Sequence, residues 1–281
     1  MRVIVCFEGR VRNDSTGFYF LKAFKDLGHE VTHVYPDQIQ NVKPGDADLF
    51  FRCDDGLSDA GWNPELHPSI YYVIDTHLET DWRLRLAKEG KFDHIFTAQK
   101  AGVSLPWHTK AHWIPLGCDP DLHNVGPREK KYDVAFIGNF HSRYAGRRME
   151  YLDKLFKALP NFFFGHRTFK EMAEKYAESK IVFNCSLNQD INMRVFEGMA
   201  SGSILLTDRI PEMAEIGLVD GQHYVGYTGI DEMLALAKVI ANGSFKEVPI
   251  QGQKLALEGH TYKHRCEAML KKITEEACLS R

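Results

Sequence analysis

No two of the six cysteines (Cys6, Cys53, Cys118, Cys185, Cys266 and Cys278) sit at CxxC or zinc-knuckle spacing, which excludes a zinc ribbon and a dithiol redox motif. Scattered thiols of this kind are expected to be reduced packing residues of a cytoplasmic protein. No apolar run nears the roughly 20 residues that a membrane-spanning helix needs. Val3-Ile4-Val5-Cys6-Phe7, behind Arg2, is too short for a signal-peptide core. A charge excess is missing as well: 35 Lys and Arg against 38 Asp and Glu leave a net charge of −3. A dedicated nucleic-acid binder needs a basic surplus to neutralise phosphates, so nucleic acid is a disfavoured partner. The GxGxxG fingerprint is absent after both leading strands, which read Phe7-Glu-Gly-Arg and Phe136-Ile-Gly-Asn. That disfavours a nicotinamide enzyme, and the missing Walker A pattern disfavours a P-loop kinase.

What the chain does carry is a run of short strands alternating with amphipathic helices. Val3 to Phe7 reads as a strand buried on both faces, followed by a helix bearing Phe18, Leu21, Phe24 and Leu27 and stopped at Gly28. Strands are predicted at 30–35, 48–52, 70–74, 94–97 and 112–114, with a helix around Trp82 to Ala87. Residues 119–131 hold turn formers, charge and no apolar period, and read as a linker. The alternation then restarts, with strands at 134–137, 162–164, 181–183, 203–207 and 224–227 and helices between and after them. Strand–helix repetition means parallel sheets with helices on their faces. The expectation is an α/β chain of two Rossmann-like parallel-sheet domains facing a cleft, 1–125 and 126–262.

Ligands of such sheets bind beyond the carboxyl ends of the strands, which directs attention to the loops after Phe7, Ile74, Ile137, Phe164 and Phe183. In the first half these loops offer Gly9, Gly17, and the pair Asp75 and His77, a carboxylate and an imidazole placed for proton transfer or sugar-hydroxyl contacts. Asp54-Asp55 lies in a polar stretch and is expected to be solvated. In the second half they offer Gly138, Asn139, Arg143, Arg147 and His166, with Arg148 and Lys170 nearby. Arg194 and Glu197, three apart on a short helix, share a face. An ionised carboxylate presents two acceptors and can take both hydroxyls of a ribose cis-diol; a solvated Arg194–Glu197 surface pair is the bland alternative. The histidine pairs at i, i+4 have no Glu placed as in HExxH, so no metal site is expected.

The stretch Asn192-Met-Arg194-Val-Phe-Glu197-Gly-Met-Ala200-Ser-Gly202, followed by an aliphatic strand ending at Asp208, resembles the nucleotide-binding segment of GT-B glycosyltransferases. It is most similar to the CgeB-like group of spore-maturation proteins. Phe136-Ile-Gly-Asn with Arg147 and Arg148, Asp220-Gly221 with His223 and Tyr227, and Gly259 to Arg265 extend the similarity over 131–270. Ile114-Pro-Leu-Gly-Cys-Asp-Pro120 is similar to the Pro-x-Gly-x-Asp that closes the acceptor domain in many such enzymes. The resemblance implies a GT-B enzyme moving a sugar from a UDP-, GDP- or dTDP-linked donor to an unassigned acceptor, with no cofactor or metal. The donor would lie on Gly138, Asn139, Arg143, Arg147, His166, Asn192, Arg194 and Glu197, with Gly9 and Gly17 of the first domain, and a helix over 263–281 would return to that domain. One departure stands out: the second Glu that many retaining members carry eight positions ahead is here Gln189, beside Asp190. Two alternatives share the fold: a phage-type DNA-base glycosyltransferase, and a sugar-nucleotide epimerase or non-catalytic nucleotide binder.

Overall fold

The computed structural model describes residues 1–11, 14–56, 59–138 and 146–279. The chain divides into two compact units, Met1–Pro115 with Tyr262–Arg281, and Leu116–Thr261.

The first unit is a parallel sheet of β1 (Arg2–Cys6), β2 (Glu30–Val34), β3 (Leu49–Cys53), β4 (Ser69–Val73), β5 (His94–Thr97) and β6 (Ala111–Trp113), ordered β2-β1-β3-β4-β5-β6. Helices α1 (Thr16–Asp26) and α2 (Thr80–Gly90) connect strands. Side chains alternate across each strand, and both faces of the sheet are covered. Ile4, Cys6, Phe50, Tyr71, Val73 and Ile95 form a cluster with Leu86 and Ala87 of α2 and with Trp62 and Phe92. On the other face, Phe51 and Tyr72 meet Phe20 and Phe24 of α1. The last helix of the chain, which runs Tyr262–Leu279, belongs to this face, with Tyr262 stacked on Tyr19 at 4.9 Å and edge-on to Phe20 at 5.1 Å.

The second unit holds α3 (Pro120–His123), β7 (Tyr132–Ile137), α4 (Gly146–Ala158), β8 (Phe162–Gly165), α5 (Phe169–Ala177), β9 (Ser179–Phe183), α6 (Met193–Ala200), β10 (Ile204–Asp208), α7 (Glu212–Glu215), β11 (Val225–Tyr227), α8 (Ile230–Ala241) and α9 (Val248–Gly259). The C-terminal helix of the first unit, Tyr262–Leu279, is α10. The sheet order is β11-β10-β9-β7-β8, again all parallel. Val134, Phe136, Ile181, Phe183, Ile204 and Leu206 share a core with Leu152 and Leu155 of α4 and Met233, Ala237 and Ile240 of α8.

Two departures from the expected organisation are local. The first unit ends at Pro115, ahead of residue 125, because Cys118 is held within the second: its amide donates to His260 O (3.0 Å), and it forms a parallel bridge to Thr261. The supposed linker at 119–131 contains α3, a helix too short to show an apolar period. Asp119 caps it, its carboxylate accepting from the amides of Asp121 (2.9 Å) and Leu122 (3.3 Å), and Pro120 occupies N1.

Gly17 opens α1 beneath the fully buried ring of Phe7, where an added Cβ would lie 2.1 Å from Phe7 Cγ. Its role in the structure is close packing. Gly17→Ala is therefore expected to cost about 1–3 kcal/mol, as overpacking does. A urea midpoint that fails to fall in the variant would refute this assignment.

Candidate functional site

Both sheets reverse strand order once, the first between β1 and β3 and the second between β7 and β9. At such switch points the loops diverge and leave a crevice. Each unit places its candidate residues there or close by, and each is described on its own.

In the second unit the crevice is spanned by Arg194, at the start of α6. Its Nη2 and Nε donate to Ile137 O at the end of β7 (2.7 and 3.2 Å), and its Nη1 donates to Asn184 Oδ1 beyond β9 (2.8 Å). The guanidinium also stacks 4.4 Å above the Phe136 ring. Gly138 makes this possible: an added Cβ would stand 2.3 Å from Arg194 Nη2. In place of the alternative, a solvated Arg194–Glu197 surface pair, stands an arginine anchored to the sheet. Among the described residues these bonds commit three of its five N–H groups.

Asn184, which sequence reasoning left without a role, is the hub. Fully buried, it accepts from Asn192 Nδ2 (3.0 Å) as well as from Arg194, and it donates to Thr207 Oγ1 (2.9 Å). Tyr227 Oη donates to its backbone oxygen (2.7 Å). Asn192 itself keeps Oδ1 buried with no hydrogen-bond partner among the described residues. Asp208 closes the far side, accepting from the amide of Ser186 (3.0 Å) and from Arg147 Nη2 (3.3 Å). Arg147 is half-exposed. Arg148 points inward to Cys185 O (2.9 Å), where burial first, and Arg194 second, bring its pKa down to about 10. His166, after β8, is exposed. Asn139 and Arg143 lie outside the described residues.

Glu197 is buried, its side chain 7% exposed, and its Oε1 lies 3.6 Å from His123 Nε2. His123, the last residue of α3, is wholly buried, and its Nδ1 accepts the amide hydrogen of Asp119 (2.9 Å). Sequence reading missed it because the period of 119–131 carries no helix signal; the Asp-Pro cap pair is the cue that was available.

The first unit places Asp75 and His77 on the turn after β4. Asp75 adopts φ 50°, a left-handed conformation that L-residues visit rarely, and its carbonyl accepts from Leu78 N (2.8 Å). Both His77 ring nitrogens are buried without a hydrogen-bond partner among the described residues. Buried ring nitrogens without a partner are uncommon. The turn is gripped from behind by Arg83 of α2, which donates to the carbonyls of Leu78 and Glu79 and, at 2.5 Å, to Asp54 Oδ2. Asp54-Asp55, expected in solvent, is therefore buried. Asp54 pairs with Arg83, and Asp55 lies 3.8 Å from the buried Arg52 and accepts from the Glu8 amide (2.7 Å). Two arginines within reach make burial of two carboxylates tolerable. Gly9 follows Glu8, close against the Phe18 ring. Among the described residues no three His, Cys, Asp or Glu side chains converge as a metal site would require, and no helix is long and apolar enough to cross a membrane.

Desolvation drives the His123 pKa down from 6.5 to about 3. Its folded value is thus below its unfolded one, so the neutral ring contributes stability that is complete above pH 6.5 and lost as pH falls toward 3. In wild type this one group adds a slope of about 1.4 kcal/mol per pH unit below its unfolded pKa. His123→Gln should flatten the dependence of unfolding free energy between pH 6 and 4 by about that amount; parallel curves for the two proteins would contradict it.

Residues 122–271 match the glycosyl transferase-like family. No curated protein matches the sequence. Among solved structures, the chain is similar to an alpha-glucosyltransferase in complex with UDP and a 13-mer DNA containing an HMU base, with a TM-score of 0.74 at 12% identity over 98% of this chain and 99% of that one. HepE of Anabaena, in complex with UDP and glucose, gives a TM-score of 0.69 at 12% identity over 98% and 100% of the two chains. The DNA-modifying beta-glucosyltransferase gives 0.65 at 16% identity over 97% and 99%. Two parallel sheets, each with its switch-point crevice, and a family match over more than half its length mean that the chain belongs to the glycosyl transferase-like family and has the GT-B fold.

Proposed function

We propose that this protein is a glycosyltransferase that binds a nucleotide-sugar donor at the β7/β9 crevice, with Glu197 taking the ribose hydroxyls. The observation that carries this reading is an almost buried carboxylate, Glu197, on the same short helix as a sheet-anchored Arg194 whose hydrogen bonds among the described residues use three of its five N–H groups. A carboxylate is worth burying where two hydroxyl donors arrive to meet it. Arg194, the half-exposed Arg147 and the amino end of α6 supply positive potential for the diphosphate. UDP is the nucleotide to try first, since similar folds hold it in the alpha-glucosyltransferase and in HepE. Within the family we place the chain with the CgeB-like group, on the order Asn192-x-Arg194-x-x-Glu197.

In the transfer, the bond from the anomeric carbon to the diphosphate oxygen breaks and a bond to the acceptor oxygen forms. Arginine and helix dipole stabilise the charge on the leaving diphosphate, so no metal is required. We favour retention, with the leaving phosphate taking the acceptor proton and His77 contacting the donor sugar. If configuration is inverted, Asp75 is the base. Nucleic acid is the second reading for the acceptor, favoured by two of the similar structures, one holding a DNA 13-mer and the other a DNA-modifying enzyme. DNA retention that weakens steeply with salt would distinguish it.

Glu197→Ala should weaken nucleotide binding by about 1.5–3 kcal/mol, roughly 10- to 150-fold in Kd, with the melting temperature of the free protein little changed. Calorimetric titration with UDP and GDP checks this, and equal affinities would remove Glu197 from the site. Sugar release from the donor should persist in excess EDTA; complete loss, restored by Mg²⁺ or Mn²⁺, would refute metal-free leaving-group stabilisation.

A further inference from the structure

We propose that His123 is a positioning residue for Glu197: through Nε2–H it orients the carboxylate for the ribose hydroxyls and so contributes to the choice of ribonucleotide over deoxyribonucleotide. The inference rests on the reading of Glu197 as the ribose ligand.

The tautomer follows from the backbone. Asp119 N–H donates to Nδ1 at 2.9 Å, so Nδ1 carries no hydrogen and the ring proton belongs to Nε2. Asp119 is itself locked, since its side chain caps the helix whose last residue is His123. Helix α3 packs on α5 and α6, and this places Nε2 3.6 Å from Glu197 Oε1. That separation is slightly longer than a hydrogen bond, and site contacts of this sort tighten when the ligand arrives.

Charge makes the arrangement useful. Burial disfavours the charged form of the imidazole, so it meets Glu197 as a hydrogen-bond donor and not as a counter-charge. A lysine or arginine in the same place would form an ion pair and compete with the ribose. The arrangement resembles the outer-shell partners that fix ligand orientation at metal sites. The Pro-x-Gly-x-Asp segment thereby gains a physical role, because its Asp119 starts the short helix that delivers His123.

The test compares affinities for UDP and 2′-deoxy-UDP, or for GDP and 2′-deoxy-GDP if guanine gives the larger thermal shift. Two variants separate the ring's two nitrogens. His123→Asn keeps a polar group near Asp119 N–H but withdraws the donor from Glu197. His123→Gln places a carboxamide N–H near the Nε2 position. Wild type should prefer the ribonucleotide by about 10-fold or more, as a site built to bond a hydroxyl does when that hydroxyl is missing. His123→Asn should reduce that preference at least several-fold, mainly by weakening the ribonucleotide, and His123→Gln should keep most of it. Equal loss for both nucleotides in both variants would mean a purely structural histidine and overturn the proposal, as would an unchanged preference in His123→Asn. Glu197→Gln is the control: if it leaves the preference intact, the ribose assignment of Glu197 fails; if it abolishes the preference while the His123 variants keep it, only the role of His123 fails.

Discussion

The Arg194 guanidinium is the group on which the second unit's crevice depends. A switch point leaves two strand ends diverging, each with backbone carbonyls that the sheet no longer pairs. Arg194 bonds one of them, Ile137 O, and through Asn184 Oδ1 holds the loop that follows the other strand. Other features adjust to it. Gly138 has no side chain because the guanidinium occupies the space where a Cβ would go. Phe136 lends its face, and Asn184 is buried with its polar atoms engaged by Arg194, Asn192 and Thr207. Substituting lysine would not preserve this, since one ammonium cannot reach two strand ends with fixed geometry.

The first unit solves the corresponding problem with carboxylates. Asp54 and Asp55 leave β3 and are buried against Arg83 and Arg52, and Glu8, after β1, donates its amide to Asp55. Arg83 also bonds the carbonyls of the turn that follows β4. A buried ion pair contributes little net stability by itself, but breaking it is costly, so it acts as a rigid fastener. That fastening holds the turn that carries Asp75 and His77 in a fixed conformation.

Much of this architecture was legible from periodicity. Strands read at 94–97, 162–164 and 181–183 coincide with, or lie within, β5, β8 and β9. In a chain that alternates strand and helix, a short continuous apolar run bounded by glycine marks a central strand buried on both faces. The motif Asn192-x-Arg194-x-x-Glu197 draws attention to the same helix, α6. Not legible were His123, Asn184 and the burial of Asp54 and Asp55. Each is polar, and a polar residue's sequence neighbours do not reveal whether a partner from a distant strand will meet it.

Hydrophobic pattern and turn residues are local properties, and they were enough to establish alternating strands and helices, a parallel sheet in each half and the loops where ligands gather. The pairing of charges is not local. Arg194 could serve Glu197, a phosphate or the sheet, and only the juxtaposition of β7 and β9 decided that it serves the sheet first. His123 could be a linker residue or a buried ring; the cap at Asp119 and the packing of α3 on α6 set it beside Glu197. Burying a charge costs several kcal/mol unless a partner is in place, so the tertiary contacts that supply partners determine which polar residues become the site.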